Sequence, residues 1–171
     1  MRFTILALIA WLPVVAAAQE VSIAQVAARP AGLRDAFTCY WIDSQKEWQR
    51  VPWVQGRMAA IFAVHPRHAW ATGEDGWTVD RARYAKVGGT GHSGNDAAAL
   101  APFDRFKFAR DVAFGALLFR SDKDQVQHLR RDDFILRYDT DTPYLDFRIN
   151  DTGLGDNGGR LRTCVADAAN L

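Results

Sequence analysis

The chain has 171 residues, a formal net charge of +1, and 12% aromatic residues. That length gives one domain with room for a sizeable core. The balance of 21 Lys plus Arg against 20 Asp plus Glu excludes the basic excess that a nucleic-acid-binding surface presents.

Met1-Arg2-Phe3 is a basic start, an apolar run follows as far as Val15, and Ala16-Ala17-Ala18 ends it with small residues. This is the layout of a secretory signal peptide. The run is shorter than the ~20 residues a membrane span needs. Residues 1–18 are therefore expected to be removed after Ala18, leaving a periplasmic or secreted protein. Loss of Arg2 makes the mature cations and anions equal in number, and no later stretch is apolar for long enough to cross a bilayer.

Residues 19–35 read as an N-terminal arm, a short helix over 21–28 or irregular chain, with Pro30 and Gly32 near its end. Residues 36–171 read as the folded domain. The pattern predicts a first strand over 36–42, and residues 46–54 carry Trp48 and Trp53 around Pro52. The run 58–64 is wholly apolar, as in a strand covered on both faces or one set deep in the core. A turn at 73–76 precedes one or two short strands within 77–86, and a glycine-rich loop fills 87–96. Residues 97–101 predict a turn of helix, 114–120 a buried strand, and 121–133 a charged, exposed segment. Strands over 134–138, 144–149 and 160–166 complete the chain. The last two alternate apolar and polar residues and look like antiparallel arms about one loop. Many short strands, divided by Gly, Asp and Pro turns, indicate an all-β sandwich or jelly roll.

Cys39 and Cys164 are the only cysteines. In an oxidising compartment they are expected to form one disulfide. Without a CxxC motif the pair reads as a staple rather than a reactive couple.

The chemistry concentrates in the loop after Ile149. Asn150, Asp151, Asp156 and Asn157 lie on backbone loosened by Gly153, Gly155, Gly158 and Gly159. Reversing a chain takes fewer oxygens than this, whereas calcium takes six to eight from a chain able to turn sharply. Asn, Asp and Gly are also what ordinary tight turns use. No bidentate Glu closes an EF-hand, and the loop has no His or Cys for zinc.

FGALLFR, then DFILRYD, then YLDFRIND and a DNGG loop before the last strand resemble the bacterial galactophilic lectin (PA-IL-like) family. The resemblance covers residues 113–165 best. It implies a jelly-roll, galactose-binding-like β-sandwich whose calcium binds hydroxyls of a galactose-type sugar directly. It makes Asp151 the first carboxylate ligand, Asp156 and Asn157 an adjacent pair, and Gly153 a carbonyl donor. A further carbonyl comes, in the family, from a loop after an early tryptophan, which Trp70 would place near Thr72 or Gly73. His92 and Asn95 stand where the family has a sugar-touching histidine and glutamine, although Ser93 replaces a proline. The metal loop is shorter than in the best-known members.

Among the aromatics, Trp41, Trp70 and Trp77 read as core or semi-core, and Trp48 or Trp53 as exposed. His65, His68, His92 and His128 are scattered, and no serine occupies a nucleophile elbow. The chain is expected not to be an enzyme. The leading expectation is an exported, calcium-dependent, carbohydrate-binding protein, with homo-oligomers supplying avidity. The alternative is a periplasmic protein-interaction module, such as an inhibitor or immunity-type protein, on the same sandwich.

Overall fold

The computed structural model describes residues 21–23, 35–122 and 125–171. The expected signal peptide lies outside them, as does most of the expected arm. The elements in chain order are β1 (Val21–Ser22), β2 (Thr38–Asp43), β3 (Gln49–Pro52), β4 (Ala59–Ala63), β5 (Gly76–Thr78), α1 (Gly94–Leu100) and a 3-10 helix (Ala101–Phe106). Then come β6 (Leu117–Arg120), β7 (Gln127–His128), β8 (Phe134–Tyr138), β9 (Tyr144–Ile149), β10 (Gly158–Asp167) and a closing 3-10 turn (Ala168–Asn170). Among the described residues no helix is long and apolar enough to cross a membrane.

The strands form two antiparallel sheets. One runs β1-β8-β4-β10-β2, with β5 also pairing β10; the other runs β3-β9-β6-β7. Leu117, Phe119, Leu145, Phe147 and Ile149 of the smaller sheet pack with Ile61, Leu161 and Val165 of the larger. Burying each such side chain contributes about 1.5–3 kcal/mol. The protein is thus mostly β, as its turn-punctuated pattern predicts.

The apolar run of β4 has a clear cause. Ala59, Ile61 and Ala63 face the space between the sheets, while Ala60, Phe62 and Val64 enter a second core with Ile23, Phe37 and Ile135. Both faces are covered, as the unbroken apolar composition requires. Where described, the expected arm has Val21 and Ser22 as strand and Ile23 as helix; the rest of 24–28 lies outside the described residues. Val21 and Ser22 pair with Ile135 and Phe134, and the Ile23 amide donates to the Asp133 carbonyl at 3.0 Å.

Cys39 and Cys164 stand directly opposite each other on β2 and β10 and are joined by the expected disulfide.

The loop arms differ from expectation. β9 pairs β3 and β6, whereas β10 pairs β2, β4 and β5, so the two are in different sheets and are not partners. Alternation reports which residues face a core but not which strand lies alongside. The intervening segment carries the chain across the sandwich, a step of about 10 Å.

Smaller differences follow from packing. Within 77–86 only Trp77 and Thr78 are strand, and the helix expected over 97–101 starts earlier, at Gly94. The charged segment 121–133 includes strand β7 and the buried Leu129. Among the described tryptophans Trp41 is the exposed one, at 38%. Trp48 is half-covered by Phe108 and by Arg120, whose guanidinium lies 3.9 Å from the ring centre, and Trp53 donates its Nε1–H to the Arg57 carbonyl.

Candidate functional site

The crossing loop begins at a clamp. Asn150 is wholly buried; its Oδ1 accepts from the Ala109 amide at 2.8 Å, and its Nδ2 donates to the carbonyls of Ala109, Val112 and Ala113. This amide is consumed in holding the 109–113 turn and is not a free ligand. Before it, Arg148 is buried on the outer face of β9 beside Trp48 and Phe108. Its guanidinium donates to the carbonyls of Ile149 at 3.1 Å and Asp151 at 2.6 Å, which fixes the path of the loop.

The far end is clamped by the turn after β2. Ser44 donates its hydroxyl and amide to the Gly159 carbonyl, and Gln45 Nε2 donates to the Asn157 carbonyl. Asn157 Nδ2 donates to the Ser44 carbonyl at 2.9 Å. Asn157 is wholly buried, yet its Oδ1 has no hydrogen-bond partner among the described residues. An unpaired buried oxygen of this kind costs about 1–3 kcal/mol unless something at the site satisfies it.

Between the clamps, Asp151, Gly153 and Asp156 line one cleft of about 270 Å³. Asp151 is buried and accepts the Gly153 amide at Oδ1, 2.8 Å away, while Asp156 is exposed. Burial pushes the Asp151 carboxyl up from its ordinary range and the nearby Asp156 charge adds to this, while bonds from Gly153, Asn157 and Thr152 partly offset the rise. A cation would relieve both causes at once.

The rest of the cleft comes from distant segments. Val79, Asp80 and Tyr84 follow β5, Leu100 ends α1, and Phe103 and Phe106 lie on the 3-10 helix. Three residues per turn put Phe103 and Phe106 on one side of that helix. The segment after β5 is tied to the loop by the Arg81 amide, which donates to the Asp156 carbonyl at 3.1 Å. Trp77 anchors this corner: wholly buried, it donates its indole N–H to the Gly115 carbonyl at 2.6 Å.

Thus Asp151, Gly153 and Asp156 come together, with Asn157 buried at the end of the same loop. His92 and Asn95 do not line the cleft. His92 is 2% exposed and sits edge-on to Tyr84, 5.5 Å between ring centres, with Nε2 3.5 Å from Thr78 Oγ1 and Nδ1 3.5 Å from Asp96 Oδ2. Burial lowers its pKa, and the bond to Asp96 works against that. Asn95 is exposed on α1. Thr72 and Gly73 are not at the cleft either; Thr72 closes a turn by donating to Asp75. The tryptophan whose following loop reaches the cleft is Trp77. Sequence reasoning also missed Tyr84, Phe103 and Phe106, although the three-residue spacing of the phenylalanines was a usable signal.

Two carboxylates, a buried amide oxygen and backbone carbonyls are a donor set that suits calcium. Among the described residues no group of three or more His, Cys, Asp and Glu forms a metal cage. No protein family, curated protein or solved structure matches this chain.

Proposed function

We propose that the protein is an exported, calcium-dependent, carbohydrate-binding protein of lectin type on a jelly-roll β-sandwich. The observation that carries this reading is the meeting of Asp151, Gly153 and Asp156 in one aromatic-walled cleft, on a loop that also buries an unpaired amide oxygen of Asn157. Asp151, Asp156, Asn157 and the Gly153 carbonyl would hold the ion. When bound, calcium supplies a positive centre for two adjacent sugar hydroxyls. The chain's own part is to orient the ligand: Tyr84, Phe103 and Phe106 offer ring faces to sugar C–H surfaces, and Leu100 and Phe114 exclude water. The sugar is proposed to be galactose-type, in keeping with the motifs of the last strands. Affinity at one site is expected to be about 0.1–1 mM, raised by avidity if copies associate.

A calcium titration followed by thermal unfolding tests the metal. Calcium at about a hundred times its Kd stabilises the folded state by ~2.7 kcal/mol, a rise of roughly 5–10 °C in melting temperature. An unchanged melting temperature in millimolar calcium sinks the metal reading. Binding to arrayed glycans with and without chelator then tests the sugar, and signal that survives chelation excludes recognition through the ion.

A second reading is favoured by one feature. Phe103, Phe106 and Phe108 are each more than 40% exposed within a single short segment. Such clustering suits a protein partner, so a periplasmic interaction module remains the alternative; failure of both assays above, with capture of a defined protein partner abolished by Phe106→Ser, would establish it.

A further inference from the structure

Beyond Tyr84 the surface opens into a second cleft, of about 310 Å³, bordered by Gln45, Thr78, Arg81, Lys86 and the backbone of Gly158 and Gly159. Tyr84 lines both clefts, and residues 156–159 run from the wall of the first to the wall of the second. The two differ in charge. The first carries Asp80, Asp151 and Asp156 against the single guanidinium of Arg83; the second carries Arg81 and Lys86 against the single carboxylate of Asp43.

The cations of the second cleft stand apart from their neighbours. Arg83 pairs with Asp80 at 3.4 Å, Arg162 with Asp75 at 2.7 Å, and Arg160 with Glu74. Arg81 and Lys86 have no carboxylate partner among the described residues. Lys86 Nζ is steered by neutral carbonyls, those of Gly73 at 2.9 Å and Glu74 at 3.4 Å, so its charge is placed but not neutralised. Asp43 is already engaged by the Gln45 amide at 2.9 Å and by Lys46 at 3.9 Å. A ligand that lies across Tyr84 therefore meets a region seeking a cation, then one seeking an anion.

We propose that the second cleft is a subsite for an anionic sugar residue, so that the ligand is an acidic glycan at least two residues long. This rests on the carbohydrate reading of the first cleft and extends it. The terminal neutral sugar would occupy the cleft at Asp151 and Asp156. The adjoining residue would place a carboxylate or sulfate near Arg81 and Lys86. Neither cation contributes a side chain to the first cleft, so the two subsites are separable by mutation.

The test uses the full mature protein with calcium on an array of matched pairs, each neutral oligosaccharide printed beside counterparts bearing one uronic acid or one sulfate on the penultimate residue. The acidic members are expected to bind about three- to tenfold more strongly than their neutral partners. The advantage should disappear in the Arg81→Gln, Lys86→Gln double variant and shrink as salt is raised from 50 to 500 mM. Binding of the neutral members should not change. Arg81→Gln alone guards against a disturbed 73–74 turn and is expected to remove part of the advantage. Equal binding of neutral and acidic partners overturns the subsite and leaves the carbohydrate reading standing. An acidic preference that persists in both variants also overturns it. Absence of binding to every glycan overturns both.

Discussion

Asn150 and Asn157, at the two ends of the crossing loop, are both wholly buried, but their amides are used in opposite ways. Asn150 satisfies one amide and three carbonyls of the 109–113 turn, whereas Asn157 leaves its oxygen unmatched. Asn150→Ala takes the partner from the half-buried Ala109 amide and Val112 carbonyl and one of two donors from the Ala109 and Ala113 carbonyls, and is expected to destabilise by about 2–4 kcal/mol, with or without calcium. Asn157→Ala and Asp156→Ala should cost less without calcium and lose most of the stabilisation by calcium. Parallel thermal melts of the three variants with metal and with chelator read both effects. Gly91 also has a specific reason to be glycine. Its φ is +80°, and a Cβ there would run into the Phe114 carbonyl and come within 2.6 Å of the Ala116 amide. Those are backbone atoms of the segment that holds Trp77 and His92, so Gly91→Ala should cost about 2–4 kcal/mol in denaturant unfolding.

At the scale of elements, β10 organises the larger sheet. It pairs β2 along one side, and β5 and then β4 along the other. Sequence alternation marked β9 and β10 as strands correctly: Leu145, Phe147 and Ile149 of β9 and Leu161 and Val165 of β10 enter the core between the sheets, while Cys164 and Ala166 on the other face of β10 enter the second core. Their partners were not legible, because pairing depends on segments far away in the chain that alternate in the same way. The disulfide pins β2, at an edge of the larger sheet, to β10 and closes a loop of 125 residues. Replacing both cysteines by alanine is expected to lower stability by roughly 4–5 kcal/mol on chain-entropy grounds. Guanidinium unfolding of oxidised protein and of the Cys39→Ala, Cys164→Ala variant measures it. A difference below 1 kcal/mol would show that the strand ladder constrains the ends without the bond.

For the molecule as a whole, three half-buried or buried histidines set a pH response. Burial is the first cause of a lowered pKa in His68, His92 and His128; nearby charge adds to it from His65 in the first case and Arg130 in the last. Asp132, Asp133 and Asp75 act against it at His68, and Asp96 at His92. With folded pKa values below the unfolded ~6.5, the unfolded chain takes up protons first as pH falls. Stability is therefore full above the unfolded value and is lost as pH drops through 6.5 toward the folded values. Melting temperature should fall between pH 7.5 and pH 5, and His92→Gln should flatten the slope. A level profile would contradict the burial of these rings.

The order of residues determined by itself that the protein is built from short strands, that β4 is covered on both faces, that its two cysteines pair, and that oxygen-bearing side chains crowd the β9–β10 loop. These are local or unique properties: a period, an unbroken apolar run, a single possible pairing, a composition. Tertiary structure alone decided which oxygens remain available and what stands opposite them. Asn150 is spent and the Asn157 oxygen is not; His92 is packed behind Tyr84; the segment after Trp77, rather than after Trp70, forms the facing wall. Each of these depends on how segments distant in sequence meet across two sheets, and that is settled by close packing of the whole core rather than by any short stretch of residues.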